Sequence, residues 1–258
     1  MSSNPTAVII GAGNVASHLA PALNRAGYSI SCVYSRTPQK AERLAELLKC
    51  AHTTDIGSVP VDADLYLIAL SDSAIAPVAS LMPRVSGLVV HTCGSIDISA
   101  LGDVSLSTGV LYPLQSFSAD DAVDVSAVPF FVEGNSPESL KQVRSIAQNL
   151  TSKVYEADGE KRKYLHLAGV LSNNFVNYLL ALTEKVLKGQ GYTLDTVKPL
   201  VELTVRKAFG MGPVAAQTGP ARRSDRSTVA KHADLLTEEQ AQLYTLISDM
   251  IIKEYEQD

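Results

Sequence analysis

Short apolar runs alternate with amphipathic stretches over the first 155 residues. Ala7-Val8-Ile9-Ile10 is apolar at every position, partly β-branched, and ends at a glycine, which predicts a parallel strand buried on both faces. Asn14 to Ala26 carries helical spacing and stops at Gly27, a glycine suited to a helix C-terminus. Ile30 to Tyr34 predicts the next strand. Thr37-Pro38 offers a cap followed by proline at the first helical position, and that helix is expected to reach about Lys49. Further strands are expected at Leu65 to Leu70, Leu88 to His91, Gly109 to Tyr112 and Val128 to Val132, with a last edge strand at Lys153 to Tyr155. Helices are expected at Ala74 to Met82 and from Ser136-Pro137 to Leu150. This β-α alternation predicts a doubly wound, mostly parallel α/β sheet.

After Ala157 the strand signal ends. Lys161 to Leu187 reads as one long helix, nearly apolar on all sides, followed by helices at about Leu194 to Phe209, Arg226 to Leu236 and Thr237 to Tyr255. The expected division is therefore an α/β domain over 1–156 and an all-helical domain over 157–258. The helical domain is expected to hold substrate and to pair two copies of the chain.

Composition narrows the partners. With 22 basic and 27 acidic side chains the net charge is −5, which argues against nucleic acid as a main partner. The chain is 46% hydrophobic, too apolar for a disordered polymer. No stretch reaches the roughly 18 to 20 uninterrupted apolar residues of a membrane span, and Met1 to Pro5 has no basic segment of the kind that opens a signal peptide. Cys32, Cys50 and Cys93 are scattered, odd in number and without metal-ligand spacing, so the expectation is a reduced cytoplasmic protein with no metal site.

Candidate chemistry begins at Gly11-Ala12-Gly13-Asn14-Val15-Ala16, which matches G-x-G-x-x-G/A between the first strand and the first helix. The first glycine permits the tight turn, the second a close backbone approach to a pyrophosphate, and Ala16 close helix packing. Amides at the helix start then face the anion. The context is that of a Rossmann dinucleotide-binding domain. At the end of the second strand, Tyr34-Ser35-Arg36-Thr37 with Lys40 replaces the carboxylate that usually binds an NAD ribose, so NADP is the expected cofactor. Leu70, Ser71 and Asp72 after one strand, and Thr92 and Cys93 after the next, are expected to border its nicotinamide half.

On the long helix, at 100° per residue from His166, Asn173 falls near −20°, Asn177 near about +20°, Lys163 near about +60° and Asn174 near about +80°. Such a polar stripe on a buried helix costs several kcal/mol unless it is paired or lines a wet cleft. One reading is an interhelical hydrogen-bond network. The other is an active-site cleft between the domains, where His166 or Lys163 is the general acid and Asn173 or Asn174 orients the substrate. Histidine titrates in the right range, whereas Lys163 would need its pKa lowered by burial. Arg222 and Arg223, after the Gly219-Pro220 turn, could hold an anionic group, and Tyr112 and Gln115 could form a cleft wall.

The segments Gly11 to Ala16, Ser35-Arg36, Ala69 to Asp72, His91 to Ser95, Tyr112 to Gln115, Ser172 to Asn174 and Thr218 to Pro220 occur in an order that resembles a little-characterised family of NADP oxidoreductases. That family joins a Rossmann-like domain to a helical C-terminal domain of unknown function. More distantly the chain is similar to pyrroline-5-carboxylate reductases, ketopantoate reductases, β-hydroxyacid dehydrogenases and deazaflavin-dependent NADP reductases. The resemblance implies a helical domain that often dimerises and an active-site cleft between domains. Two departures stand out. Many relatives carry histidine where this chain has Tyr112. The lysine-to-asparagine spacing of four found in β-hydroxyacid dehydrogenases is missing, since Leu167 lies four residues after Lys163.

The expected function is NADP(H)-dependent hydride transfer to or from a small anionic carbonyl or imine compound. The competing reading is a non-catalytic NADP-binding sensor or scaffold. A polar stripe sealed inside a helical interface would favour the sensor.

Overall fold

The computed structural model describes residues 4–118 and 121–256. Its first half is the doubly wound sheet expected from the alternating pattern. Strands β1 (Thr6–Ile10), β2 (Ser29–Tyr34), β3 (Ala51–Thr53), β4 (Leu65–Ile68), β5 (Leu88–His91), β6 (Thr108–Pro113), β7 (Phe130–Gly134) and β8 (Val154–Glu156) lie in the order β3-β2-β1-β4-β5-β6-β7-β8. All neighbours are parallel except β6 and β7, which run antiparallel with Tyr112 opposite Phe131 and Val110 opposite Glu133. β3 was not anticipated. It is a short edge strand with Ala51 and His52 exposed, and it carries no periodic signal.

Helices α1 (Asn14–Arg25), α2 (Pro38–Leu48), α3 (Asp72–Leu81) and α4 (Pro137–Leu150) cover the sheet. Alternate residues of each central strand feed separate cores. Ala7 and Ile9 of β1 pack with Leu19 and Leu23 of α1, while Val8 and Ile10 pack with Tyr66, Ile75 and Val78 on the other face. That double burial is why β1 reads as a continuous apolar run.

The remaining helices are α5 (Gly159–Gly169), α6 (Phe175–Lys188), α7 (Lys198–Met211), α8 (Pro213–Ala216), α9 (Arg226–Ala233) and α10 (Glu238–Tyr255). A π-helical turn at Val170–Asn174 separates α5 from α6. The chain divides into compact units at Met1–Asn173 and Asn174–Asp258, later than the boundary expected near residue 156. The difference has a physical cause: α5 belongs with the sheet because Arg162 is fully buried and bound to Glu133 of β7. In the second unit Ala221, Val229 and Ile252 are the buried hydrophobic residues among those described, and Phe175, Tyr178, Phe209 and Met250 are exposed. The expectation that the long helix is buried is thus corrected. No helix among the described residues is long and apolar enough to cross a membrane.

A histidine lies buried inside the sheet. His91, at the end of β5, is 0% exposed; its Nδ1 accepts from the Cys93 N–H at 3.2 Å, and Nε2 has no partner among the described residues. Burial first, then the nearby Arg162 charge, lowers its pKa from 6.5 to about 4; the Asp97 backbone carbonyl opposes this shift without completing a hydrogen bond to Nε2. Between these two values an unfolded chain binds a proton that the native chain does not. Stability therefore falls as pH drops through that window, by up to ~3 kcal/mol from this group. Urea unfolding between pH 7 and pH 4 is expected to show that loss in the wild type and a smaller one in His91→Asn, which keeps an acceptor for the Cys93 N–H. Equal losses in both proteins would remove His91 as the cause.

Candidate active site

At the carboxyl ends of β1, β2 and β4 lies a cleft of about 240 Å³, bordered by Gly11, Gly13, Ser35, Arg36, Lys40 and Ser71. Gly11 has φ +117°, donates its N–H to the Tyr34 carbonyl at 2.8 Å, and leaves no room for a side chain, since a Cβ would sit 2.3 Å from the Ala69 carbonyl oxygen. Gly13 caps α1 without a side-chain hydrogen bond, and a Cβ there would meet nothing within 4 Å. The first turn of α1 carries no acidic residue, so its N–H groups and dipole are available to an anion. Ser35 Oγ accepts from the Thr37 N–H at 3.2 Å, and Thr37 is followed by Pro38 at the start of α2. Arg36 and Lys40 are exposed on this cleft, and neither has an ion-pair partner among the described residues.

The structure therefore brings Gly11, Gly13, Ser35, Arg36, Thr37, Lys40, Leu70 and Ser71 to one cleft. Asn14 and Val15 open α1 beside it. The Asn14 side chain donates to the Phe117 carbonyl at 2.9 Å, which holds its amide against free rotation. Thr92 Oγ1 points back to the Ile68 carbonyl at 3.5 Å.

A second group of side chains gathers at the ends of β5 and β6. Asp72 accepts from Cys93 Sγ at 3.0 Å and from the Ser95 hydroxyl. Burial pushes the Asp72 carboxyl up, but those two hydrogen bonds and nearby His166 outweigh it and hold the group below the usual range. Cys93 shifts the other way. Burial, then the hydrogen bond to Asp72, raises its pKa and keeps it a thiol, which argues against Cys93 as a nucleophile. The Tyr112 hydroxyl lies 3.4 Å from His166 Nδ1, with the two rings edge to face at 6.4 Å. Burial, followed by the proximity of Cys93 and Asp72, pushes the Tyr112 phenol up to about 12. Gly94 covers the same ring, and a Cβ there would fall 2.5 Å from it.

Apart from His166, the other expected residues make no hydrogen bond or ion pair with this group among the described residues. Lys163 is exposed and paired with Glu160, which raises its pKa; the burial that a lysine acid requires is absent. His166, Asn173, Asn174 and Asn177 are all exposed, so the polar stripe is not sealed in a core. The π-turn also breaks the uniform 100° spacing used above: one inserted residue moves Asn177 from near +20° to about −80° relative to His166. Gln115 is exposed, and its Oε1 accepts from the Ser116 N–H at 2.8 Å. In the second unit Arg222 stacks on Tyr255 at 4.0 Å, while Arg223 is exposed. No group of three His, Cys, Asp or Glu side chains among the described residues could hold a metal ion.

Ser95, Glu133 and Arg162 were not anticipated. Ser95 lies in a loop already singled out, where its neighbour Cys93 drew the attention. Arg162 sits in the run Glu160-Lys161-Arg162-Lys163, which reads as a solvated face. The only signal was its position one turn before His166 on the same helix face.

Residues 6–93 match the family described as NADP oxidoreductase, coenzyme F420-dependent, and residues 128–251 match DUF2520, a domain of unknown function. A Bacteroides fragilis protein designated an NADP oxidoreductase, BF3122, is 39% identical, with a TM-score of 0.89 over 97% of this chain and 99% of that one. An imine reductase from Myxococcus stipitatus, solved with NADP+, shares the fold at 15% identity, with a TM-score of 0.61 over 98% of this chain and 93% of its own. A stretch of 72 residues is 39% identical to glutamyl-tRNA reductase of Streptomyces avermitilis, spanning 27% of this chain and 13% of that protein.

Gly94→Ala tests the packing of this site. The added methyl meets the Tyr112 ring rather than open space, and overpacking of this kind costs about 1–3 kcal/mol. Urea denaturation is expected to show that loss, and the Tyr112 ring resonances should shift. An unchanged midpoint with unchanged Tyr112 resonances would mean that Gly94 is not required for its position.

Proposed function

Because the chain belongs to the family of NADP oxidoreductases that joins an NADP oxidoreductase domain to a DUF2520 domain, it is an oxidoreductase, and we propose that it uses NADP(H) to reduce a small anionic imine or carbonyl compound. The observation that carries the cofactor preference is the single cleft holding both the glycine turn and two unpaired cations, Arg36 and Lys40. The residues fit such a group. Gly13 leaves the helix end open to a pyrophosphate, and Arg36 with Lys40 would hold a 2′-phosphate where an NAD site would place a carboxylate.

When bound, NADPH supplies the hydride. The chain supplies the proton. Tyr112 keeps its proton at neutral pH, so its O–H is present to donate to the nitrogen or oxygen on which negative charge grows as the hydride arrives. His166, with Nδ1 3.4 Å from that hydroxyl and its ring exposed, returns the proton from water. The imine alternative is supported by the imine reductase that shares the fold. Pairing of two copies through the second unit is supported by the exposed apolar side chains of α6, α7 and α10.

Fluorescence titration is expected to show NADPH preferred over NADH by tenfold or more, about 1.4 kcal/mol, with the preference lost in Arg36→Ala. Absence of binding to either nucleotide would refute the cofactor reading. In NADPH oxidation assays across keto acids and cyclic imines, Tyr112→Phe and His166→Asn are each expected to lower kcat by about 10²-fold or more, with NADPH affinity unchanged. Wild-type kcat in both variants would remove the proposed proton path.

A further inference from the structure

We propose that Arg162 and Glu133 are a positioning pair that holds His166 against Tyr112. Arg162 is the largest fully buried side chain described, at 0% exposure. It binds the Glu133 carboxylate on β7, donates from Nη1 to the Ala157 carbonyl at 3.1 Å, and donates from Nη2 to the Ile96 carbonyl at 2.9 Å. These acceptors belong to three separate pieces of chain. Glu133 faces Val110, two residues before Tyr112 on β6. Ala157 links β8 to α5. Ile96 directly follows Ser95, whose hydroxyl binds Asp72.

The spacing makes Arg162 a level below His166. Four residues of helix rise about 6 Å, and the two residues from Val110 to Tyr112 advance about 6.6 Å along the strand. One turn of α5 therefore carries the chain from the level of the Arg162–Glu133 pair to that of the Tyr112–His166 contact. The planar guanidinium fork serves these acceptors from two nitrogens with fixed directions, whereas the three N–H groups of a lysine radiate from a single nitrogen and cannot reproduce that spread.

Stability alone is a poor reason for this arrangement. A buried ion pair is often replaceable by apolar residues at little or no loss, and here the Arg162 Nε–H has no partner among the described residues. What the pair supplies is one fixed placement of α5 against β6 and the Ser95 loop. The consequence for turnover rests on the proton path proposed above; the consequence for geometry does not.

The test compares wild type with the double variant Arg162→Met/Glu133→Leu, which keeps the core filled, and with Arg162→Lys, which keeps the charge but not the fork. In protein labelled at histidine and tyrosine, the nuclear Overhauser contact between the His166 and Tyr112 rings is expected in wild type and lost in both variants. NADPH affinity should stay within about twofold, because the glycine loop is separate. With the substrate found by screening, kcat should fall about tenfold to a hundredfold while KM changes little, as expected when a reacting group is displaced. If the ring contact persists in either folded variant, the positioning role is overturned whatever the kinetics show. If the double variant does not fold, Arg162→Lys decides. Loss of the contact in protein that oxidises no NADPH would uphold the positioning role and sink the reductase reading instead.

Discussion

The carboxyl edge of the sheet is organised by the close approach of two backbones where β1 meets β4. The strand order reverses there, with β2 and β3 on one side of β1 and β4 to β8 on the other. Loops leaving the strands diverge at such a point and open a crevice. Gly11 is held from one side by its hydrogen bond to the Tyr34 carbonyl and closed from the other by the Ala69 carbonyl. A side chain at Gly11 would press on the segment that leads directly into Ser71 and Asp72. Both the open end of α1 and the Asp72 cluster therefore depend on the same contact.

Much of the sheet was legible because the strands are apolar on both faces and glycines or prolines mark their ends. The glycine loop was legible for the same reason, since strand, turn and helix sit in fixed succession. β3 was not, because three largely exposed edge residues carry no period. The reversed direction of β7 left no trace in its composition either, as strands of both directions at that position bury Phe130 and Val132. The polar stripe failed for two reasons: apolar composition in α6 did not mean burial, and the π-turn shifted the helical phase. His166 was found from its neighbours in sequence, but its partner Tyr112 is 54 residues away, a distance that helical spacing cannot bridge.

Neighbouring charges on α5 meet opposite fates. Lys163 turns outward to Glu160 one turn away, a local surface pair of small energetic weight. Arg162 turns inward, where its charge is spent on Glu133 and also depresses the proton affinity of His91. The cations of α5 are thus committed to carboxylates, whereas Arg36 and Lys40 beside the glycine loop are not. Among the described residues, the buried cation Arg162 is neutralised, whereas Arg36 and Lys40 at the glycine cleft carry no ion-pair partner.

The partners of Arg162 also fix an order of events during folding. Its contacts reach across 66 residues to Ile96 and 29 residues to Glu133, so the guanidinium can be satisfied only after β5, β6 and β7 have assembled. Long-range contacts of this kind form late because the chain entropy of closing the loop must be overcome first. A helix whose anchor cannot exist before those strands meet is a helix that docks after them, and His166 arrives with it.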